Sequence, residues 1–306
     1  MRQVGIVGLG LIGGSLALAL KRALPGLRIL GVDRAAEALS QALAAGAIDE
    51  ALPAQALDEA RINPAGSEEV SGRLSACDLV VLAIPAPALA ELLPRLAALL
   101  RPGLVLTDVC GAKEHVCALG AAQERVIFVG AHPMAGTEFR GFAAARAQLF
   151  AGATVAVCPP VGHQAGRPEA ALLVSQLWRA AGAGKILPVT PAEHDRAIAH
   201  ASHLPYLAAA AVVESLGGSG EAQALARELA AGGFRDTTRL AGDGTVGGAA
   251  SLNRFVPAAA RDLADRLRAL ALLLEQDPAA ALARLGALAE ERRRMPLPGS
   301  VPVPKP

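Results

Sequence analysis

Short runs rich in β-branched residues alternate with longer runs rich in alanine and leucine in the first half of the chain. The short runs predict buried strands at residues 3–8, 28–33, 78–84, 104–108 and 126–130. Strands that alternate with helices predict a mainly parallel sheet with right-handed crossovers. A further strand pair is predicted at residues 153–158 and 185–188. The polar, irregular segment 52–75 is interpreted as a surface excursion.

The pattern changes after Thr190, where long helical runs begin. Thr190 is a predicted N-cap, with Pro191 at the first helical position and Glu193 three residues after the cap. One helix is predicted from there to residue 216, with a kink or a lost hydrogen bond at Pro205. Further helices are predicted at residues 220–231, 252–276 and 278–294. The chain thus divides into an α/β domain (1–189), a helical domain (190–294) and a proline-rich, disordered tail (295–306).

A glycine-rich turn follows the first predicted strand and opens the first helix, with the sequence Gly8-Leu9-Gly10-Leu11-Ile12-Gly13. Gly8 permits a tight turn, Gly10 lets the backbone approach a pyrophosphate, and Gly13 lets helix and strand pack closely. The first helical residues, Leu11 and Ile12, belong to a helix N-terminus that offers N–H groups to phosphates. This context indicates a Rossmann-type dinucleotide site, the alternative being an ordinary strand-to-helix turn.

Asp33 ends the second predicted strand, about 20 residues after the glycine motif, where an acidic side chain binds the ribose hydroxyls of NAD. NAD is therefore the expected cofactor. Arg34 stands beside Asp33 and could face a 2′-phosphate, so some use of NADP stays open.

Charge and composition exclude several classes of partner. The formal net charge is +1, from 29 basic and 28 acidic residues. A charge this small creates no long-range electrostatic field that would attract nucleic acid or an anionic membrane. The apolar stretch 4–20 contains five glycines, and no later stretch predicts a membrane span. Four scattered cysteines and a start without a signal peptide indicate a reduced, cytoplasmic enzyme with a small-molecule substrate.

A hydride transfer to a nicotinamide requires a group that takes a proton from the oxidised hydroxyl, and neutral imidazole suits this task. His132 lies just past the strand that ends at Gly130, at the edge where open α/β sheets bind ligands. A catalytic base and a structural turn residue are both consistent with His132. His203 lies on an apolar helical run and fits a hydrogen-bonded core histidine as well as a ligand. His194 is expected to be solvated.

Two arginines and one histidine-cysteine group complete the candidates. Arg235 and Arg239 follow a double glycine in GGFRDTTR, where a loop between helices could hold an anionic substrate, with a surface salt bridge as the competing explanation. His115, Cys110 and Cys117 match no zinc spacing, so no metal is expected.

Taken together, these motifs resemble those of the prephenate/arogenate (cyclohexadienyl) dehydrogenase family, over residues 1 to about 275. The shared motifs are VGIVGLGLIGGSLALAL, DLVVLAIP, TDVCGAK, GAHPMAGTE, SHLPY and GGFRDTTRLA. The resemblance implies a Rossmann domain, an all-helical domain that forms a homodimer, and an active site in the cleft between them. It implies NAD-dependent oxidative decarboxylation of prephenate to 4-hydroxyphenylpyruvate, or of arogenate to tyrosine, in tyrosine biosynthesis.

The resemblance also implies roles for individual residues. His132 would hydrogen-bond the ring hydroxyl and assist its deprotonation, Arg239 would grip a substrate carboxylate, and His203 would line the substrate pocket. Lys113 of TDVCGAK is expected among the catalytic residues, and Ala83 and Pro85 of DLVVLAIP are expected to contact the cofactor.

The chain departs from the family pattern at two places. Many members have the motif DxGSxK. This chain has DVCGAK at residues 108–113, so Gly111 replaces the serine and the contact of its hydroxyl is missing. A tryptophan that is frequent downstream of Arg239 in the family is also missing. A β-hydroxyacid or imine reductase and a non-enzymatic NAD-binding module are the alternative functions. The reductases lack GAHPMAGTE beside SHLPY, and the module would need no proton acceptor.

Overall fold

The structure is a computed structural model that describes residues 1–55, 64–137 and 139–295. Its centre is an eight-stranded sheet with the order β3-β2-β1-β4-β5-β6-β7-β8, in which only the β6–β7 pair is antiparallel. This confirms the predicted fold class of a mainly parallel Rossmann-type sheet followed by helices. The strands are β1 Gln3–Val7, β2 Arg28–Asp33, β3 Glu50–Pro53, β4 Leu79–Leu82, β5 Val105–Asp108, β6 Ile127–Pro133, β7 Thr154–Cys158 and β8 Lys185–Pro188.

Helices cover both faces of the sheet, because its inner strands are apolar on both sides. One face packs against α1, α2 and α6, and the opposite face against α3, α4 and α5. These helices are α1 Leu11–Ala23, α2 Ala36–Ala44, α3 Pro64–Ser75, α4 Ala86–Leu99, α5 Glu114–Ala121 and α6 Pro168–Ala180.

Two sequence-based interpretations in this domain were wrong. The segment 52–75 is no irregular excursion, because it contains the end of β3 and the whole of α3, although residues 56–63 lie outside the described ranges. The strand β6 does not end at Gly130 but continues to Pro133. Its last residues pair with β7, so His132 lies within a strand, opposite Ala156.

The chain after the sheet is helical within the described residues. Its elements are α7 Pro191–Ile198, a π turn Ala199–His203, α8 Leu204–Ser215, α9 Glu221–Glu228, α10 Gly232–Thr238, a 3-10 turn Arg239–Gly242, α11 Gly244–Leu252, α12 Val256–Gln276 and α13 Pro278–Arg294. We propose a domain division between residues 189 and 190, since the last strand ends at Pro188. The tail that the sequence predicts to be disordered lies outside the described ranges, except for Met295.

The start of the helical part follows the predicted capping chemistry. Thr190 accepts a hydrogen bond from the N–H of Glu193, whose side chain accepts one from the N–H of Thr190. The single long helix that the sequence predicts is interrupted by the π turn, which ends two residues before Pro205. Proline has no N–H for the helical ladder, and a wider turn accommodates the missing bond. Among the described residues, no helix has both the length and the hydropathy needed to cross a bilayer.

Candidate active site

A cleft of about 280 Å³ opens at the carboxyl ends of the first strands. Parallel α/β sheets bind dinucleotides at this edge. Six of the residues expected to bind cofactor line the cleft, namely Gly8, Gly10, Asp33, Arg34, Ala83 and Pro85. Leu11 and Ile12 form the first turn of α1 beside it, partly buried.

The three glycines of the turn differ in what a side chain would meet there. Gly8 has φ +95°, and an added Cβ would lie 2.4 Å from the carbonyl oxygen of Ala83. An added Cβ on Gly13 would lie 1.9 Å from the carbonyl oxygen of Gly8, whereas Gly10 has no atom within 4 Å of that position. Gly8 and Gly13 therefore serve the packing of strand and helix, and Gly10 leaves open space for a ligand.

Asp33 fixes the glycine turn as well as lining the cleft. Its carboxylate accepts hydrogen bonds from the N–H groups of Leu9 (2.6 Å) and Ala35 (2.8 Å). The side chain is only partly buried and lines the cleft, and each carboxylate oxygen has a further acceptor position. Two backbone N–H groups thus hold the carboxylate of Asp33 in a fixed orientation beside the cleft.

The wall of this cleft continues to His132. Ile84, which lines the cleft, accepts a hydrogen bond from the thiol of Cys110 at 3.5 Å. The next residue, Gly111, stands beside the imidazole of His132, because a Cβ added to Gly111 would lie 3.5 Å from Cε1 and 3.6 Å from Nε2. The same Cβ would lie 3.2 Å from Ala249 of α11, so the helical part closes the space from the other side.

His132 itself is partly buried, and its Nδ1 lies 2.9 Å from Nε2 of His194. Burial lowers the pKa of His132 well below its ordinary value, and the neighbouring His194, Lys113 and His203 lower it further. The imidazole is therefore neutral at neutral pH and able to accept a proton.

Lys113 does not face the cleft, because its side chain is completely buried. Its Nζ pairs with the buried carboxylate of Asp108 and donates to the carbonyl oxygen of Ala131 at 2.8 Å. Burial opposes the charge, but Asp108 outweighs it and raises the pKa of Lys113. We therefore interpret Lys113 as a positioning residue that holds the strand next to His132, not as the catalytic group that the motif suggested.

His194 and Asp195 were missed as site residues, and the expected solvation of His194 was wrong. Both are buried, and Nδ1 of His194 lies 2.7 Å from Oδ1 of Asp195. The same carboxylate accepts from the N–H groups of Lys113 (2.7 Å) and Glu114 (2.9 Å) at the start of α5. The helical spacing of His194 and the buried Ile198, four residues apart, was the available signal.

His203 is buried in the π turn, where Asn253 holds it. The amide nitrogen of Asn253 lies 3.2 Å from Nδ1 of His203 and 2.7 Å from the carbonyl oxygen of Asp195. Its amide oxygen accepts from the N–H of Phe255, which fixes the amide orientation. Nδ1 of His203 is therefore an acceptor, and Nε2 carries the proton. Burial lowers the pKa of His203.

The two candidate arginines differ in their surroundings. Arg235 lies on α10 and pairs with Asp236 at 3.2 Å on the surface, as the salt-bridge alternative predicted. Arg239 lies on the following 3-10 turn, exposed and without an ion pair among the described residues. Its turn packs against α8, whose Tyr206 packs against Gly247 of α11. Arg239 is thus connected through α11 to the wall that faces Gly111.

The comparison with protein families covers both parts of the chain. Residues 16–187 match the nucleotide-binding domain of prephenate dehydrogenase, and residues 190–245 match its dimerization domain. The chain belongs to the prephenate dehydrogenase family. No group of histidine, cysteine and acidic side chains suited to a metal ion occurs in the part of the chain that the structure describes.

Individual relatives agree with this assignment. A prephenate dehydrogenase of Lactococcus lactis subsp. cremoris is 33% identical over 246 residues, 79% of this chain. The chain spans 61% of that relative's length. A solved prephenate dehydrogenase from A. aeolicus, in complex with hydroxyphenyl propionate and NAD+, has a TM-score of 0.81 at 28% identity and covers 96% and 98% of the two chains. Synechocystis arogenate dehydrogenase has a TM-score of 0.69 at 30% identity, with 95% and 98% covered.

Proposed function

We propose that the protein oxidatively decarboxylates prephenate, arogenate or both with NAD+, giving 4-hydroxyphenylpyruvate or tyrosine with carbon dioxide and NADH. The observation that carries this proposal is the placement of a neutral, partly buried imidazole, His132, on the wall that continues from the nucleotide cleft through Cys110 and Gly111. Relatives named for both substrates support the proposed substrate class.

The protein's own groups have defined tasks in this reaction. His132 takes the proton of the hydroxyl on ring carbon 4, while the hydrogen on the same carbon leaves as hydride, with both electrons of the carbon–hydrogen bond. The bond from ring carbon 1 to the carboxylate then breaks, and its electron pair completes the aromatic ring as carbon dioxide leaves. His132 returns the proton to the phenolate oxygen, so the protein ends unchanged.

The residues of the cleft fit the dinucleotide that this chemistry requires. Bound NAD+ would supply the hydride acceptor. Gly10 provides open space at the start of α1, and Asp33 presents a carboxylate suited to ribose hydroxyls and unfavourable to a 2′-phosphate. We therefore propose NAD in preference to NADP, and Arg34 is the residue through which NADP would bind.

Arg239 is the proposed substrate clamp, because a guanidinium holds a carboxylate with two parallel hydrogen bonds. The replacement Arg239→Ala should raise the KM for substrate by about tenfold or more, and change kcat less, since a hydrogen bond to a charged group contributes about 1.5–3 kcal/mol. Arg235→Ala, at the neighbouring surface pair, is the matched control. A substrate KM that is equal in both variants would contradict the role of Arg239.

Steady-state assays test the proposed activity directly. NADH formation is followed at saturating NAD+ with prephenate and with arogenate, and both are repeated with NADP+. Turnover of at least one ring substrate with NAD+ is expected. Binding of NAD+ without turnover of either substrate would favour the non-enzymatic module. A β-hydroxyacid and an imine serve as substrates for the alternative reductases, which gain no support from the comparisons.

We also propose a homodimer formed through the helical part. That part has few buried apolar residues and several large exposed ones, among them Leu229 (71% exposed), Leu267 (59%) and Leu282 (74%). Exposed apolar patches of this kind mark association surfaces. Sedimentation should give twice the mass of the chain at micromolar concentration, and a monomer at all concentrations would contradict the proposal. A cytoplasmic location and the lack of nucleic-acid or membrane partners stay predictions of the sequence.

A further inference from the structure

Three buried or partly buried side chains form a line that the proposed reaction does not by itself require. His132 on β6 meets His194 on α7 at 2.9 Å, and His194 meets Asp195 at 2.7 Å. The line crosses from the sheet to the helical part and ends on a carboxylate that also accepts two backbone N–H groups of α5.

The hydrogen bonds determine where each proton lies. Burial alone would raise the pKa of Asp195, but hydrogen bonds from His194, Lys113 and Glu114 outweigh it and keep the pKa low. Asp195 is therefore a carboxylate that only accepts, and Nδ1 of His194 must carry a proton. When Nδ1 is the only protonated nitrogen of His194, its Nε2 can only accept, so Nδ1 of His132 is the donor between the two rings.

We propose that His194 and Asp195 are positioning residues that hold His132 in the tautomer with its proton on Nδ1, leaving Nε2 as the base that faces Gly111. The opposite tautomer would place a proton on the atom that has to accept one. The catalytic meaning of this arrangement rests on the proposed function, whereas the tautomer itself does not.

The line also stabilises the charge that catalysis creates. When Nε2 takes a proton, His132 becomes a cation whose Nδ1–H already donates to His194. His194 donates in turn to a carboxylate, so negative charge stands at the end of the line. This counteracts the buried ammonium of Lys113, which disfavours a charged His132, as a charge on His194 or His203 would also do.

Removal of His194 should leave the backbone at His132 in place. The preceding residue, Ala131, donates its N–H to Asp108 (3.0 Å) and accepts at its carbonyl from Lys113 (2.8 Å). His132 is also paired with β7. The imidazole at 194 therefore affects the ring of His132 and its proton, so we expect an effect on kcat without an effect on nucleotide binding.

Nitrogen NMR of the full chain labelled with ¹⁵N-histidine tests the tautomer without any substrate. His132, assigned through His132→Asn, should carry its proton on Nδ1 in the unaltered protein. It should keep that tautomer in His194→Gln, whose amide oxygen can accept, and change to the Nε2–H tautomer in His194→Phe. A proton on Nε2 of His132 in the unaltered protein would overturn the inference, even if the enzyme turns over prephenate.

Kinetics of the same variants test the consequence. His194→Phe should lower kcat by about 100-fold, at the low end of what general base catalysis contributes, with the Kd for NAD+ within about twofold. His194→Gln should recover at least about tenfold of that loss, since it can still accept from Nδ1. His163→Phe, at an exposed histidine of the α/β domain, should change neither value.

Unchanged turnover in a folded His194→Phe would refute the proposed role, as would a His194→Gln variant no better than His194→Phe. If His194→Phe does not fold, the tautomer of the unaltered protein and the rate of His194→Gln decide.

Discussion

Gly13→Ala should destabilise the protein because its new methyl group meets backbone and not a movable side chain. The added Cβ would lie 1.9 Å from the carbonyl oxygen of Gly8 and 3.0 Å from Cβ of Ala83. Inserting a methyl group into a packed site costs about 1–3 kcal/mol, and a backbone obstacle places this case near the upper end. Alanine regains about 1 kcal/mol of helix propensity. The net loss in the free energy of unfolding is therefore about 2 kcal/mol.

Gly10→Ala is the matched control, since it adds the same methyl group within the same turn. No atom lies within 4 Å of that Cβ, and Gly10 has an extended backbone with φ −71°. The free energy of unfolding should change by less than about 0.5 kcal/mol. Its Kd for NAD+ should nevertheless rise by about tenfold, or 1.4 kcal/mol, because the methyl group occupies the approach of the pyrophosphate.

Two measurements separate the variants: chemical unfolding without ligand, and calorimetric titration with NAD+. Gly13→Ala should lose both stability and affinity, because moving α1 away from the turn also displaces Gly8 and Leu9. Gly10→Ala should lose affinity alone. Equal stability of the two variants would refute the packing argument, and tight NAD+ binding by Gly10→Ala would refute the placement of the pyrophosphate.

The remaining predictions concern the buried charges and the imidazole. His132→Asn should lower turnover by about two to four orders of magnitude with nearly unchanged NAD+ affinity, and full turnover would remove its proposed role. Lys113→Met leaves the buried Asp108 unpaired and should cost about 3–5 kcal/mol in urea unfolding, whereas the exposed Lys185→Met should cost almost nothing. Because the pKa of His132 lies well below 6.5, the unfolded chain binds more protons as the pH falls below that value. The free energy of unfolding should therefore decrease there, by up to about 1.4 kcal/mol per pH unit, and less steeply in His132→Asn.

The sequence predicts the sheet and the nucleotide turn well, because both depend on local signals. Runs of valine, leucine and isoleucine mark buried strands, and the glycine spacing fixes the turn that precedes α1. Strand β3 was missed because it has only four residues, Glu50–Pro53, and none of them is fully buried. Its pairing with β2 is a tertiary contact that the local pattern does not contain.

Helices α10 and α11 were missed because their residues have a low intrinsic preference for the helical conformation. Gly244–Leu252 contains three glycines, each unfavourable in a helix by about 1 kcal/mol. Close packing explains why two of these positions are glycine. Added Cβ atoms would lie 3.0 Å from the hydroxyl oxygen of Tyr206 at Gly247 and 3.6 Å from Pro87 at Gly248. Small residues let α11 approach the sheet domain closely, which propensity alone cannot predict.

The partners of His132 were equally beyond the sequence. His194 lies 62 residues away and on a different domain, so only the folded chain brings the two imidazoles together. The candidate residues were recognisable singly, by type and motif, but which nitrogen faces which neighbour depends on the three-dimensional arrangement. Lys113 illustrates the converse, because its motif is recognisable while its burial is not.

Helix α5 begins without a capping side chain of its own. The groups that it leaves open, the N–H of Lys113 and of Glu114, are bound by Asp195, which is 82 and 81 residues further along the chain. A cap of this kind is worth about 0.5–2 kcal/mol. On the ribosome, the sheet emerges before the helical part, so the N–H groups of Lys113 and Glu114 lack this acceptor until α7 has been synthesised and has packed against α5. Until then the chain contains the glycine turn and Asp33 of the cleft, but not the imidazole of His194 that contacts His132.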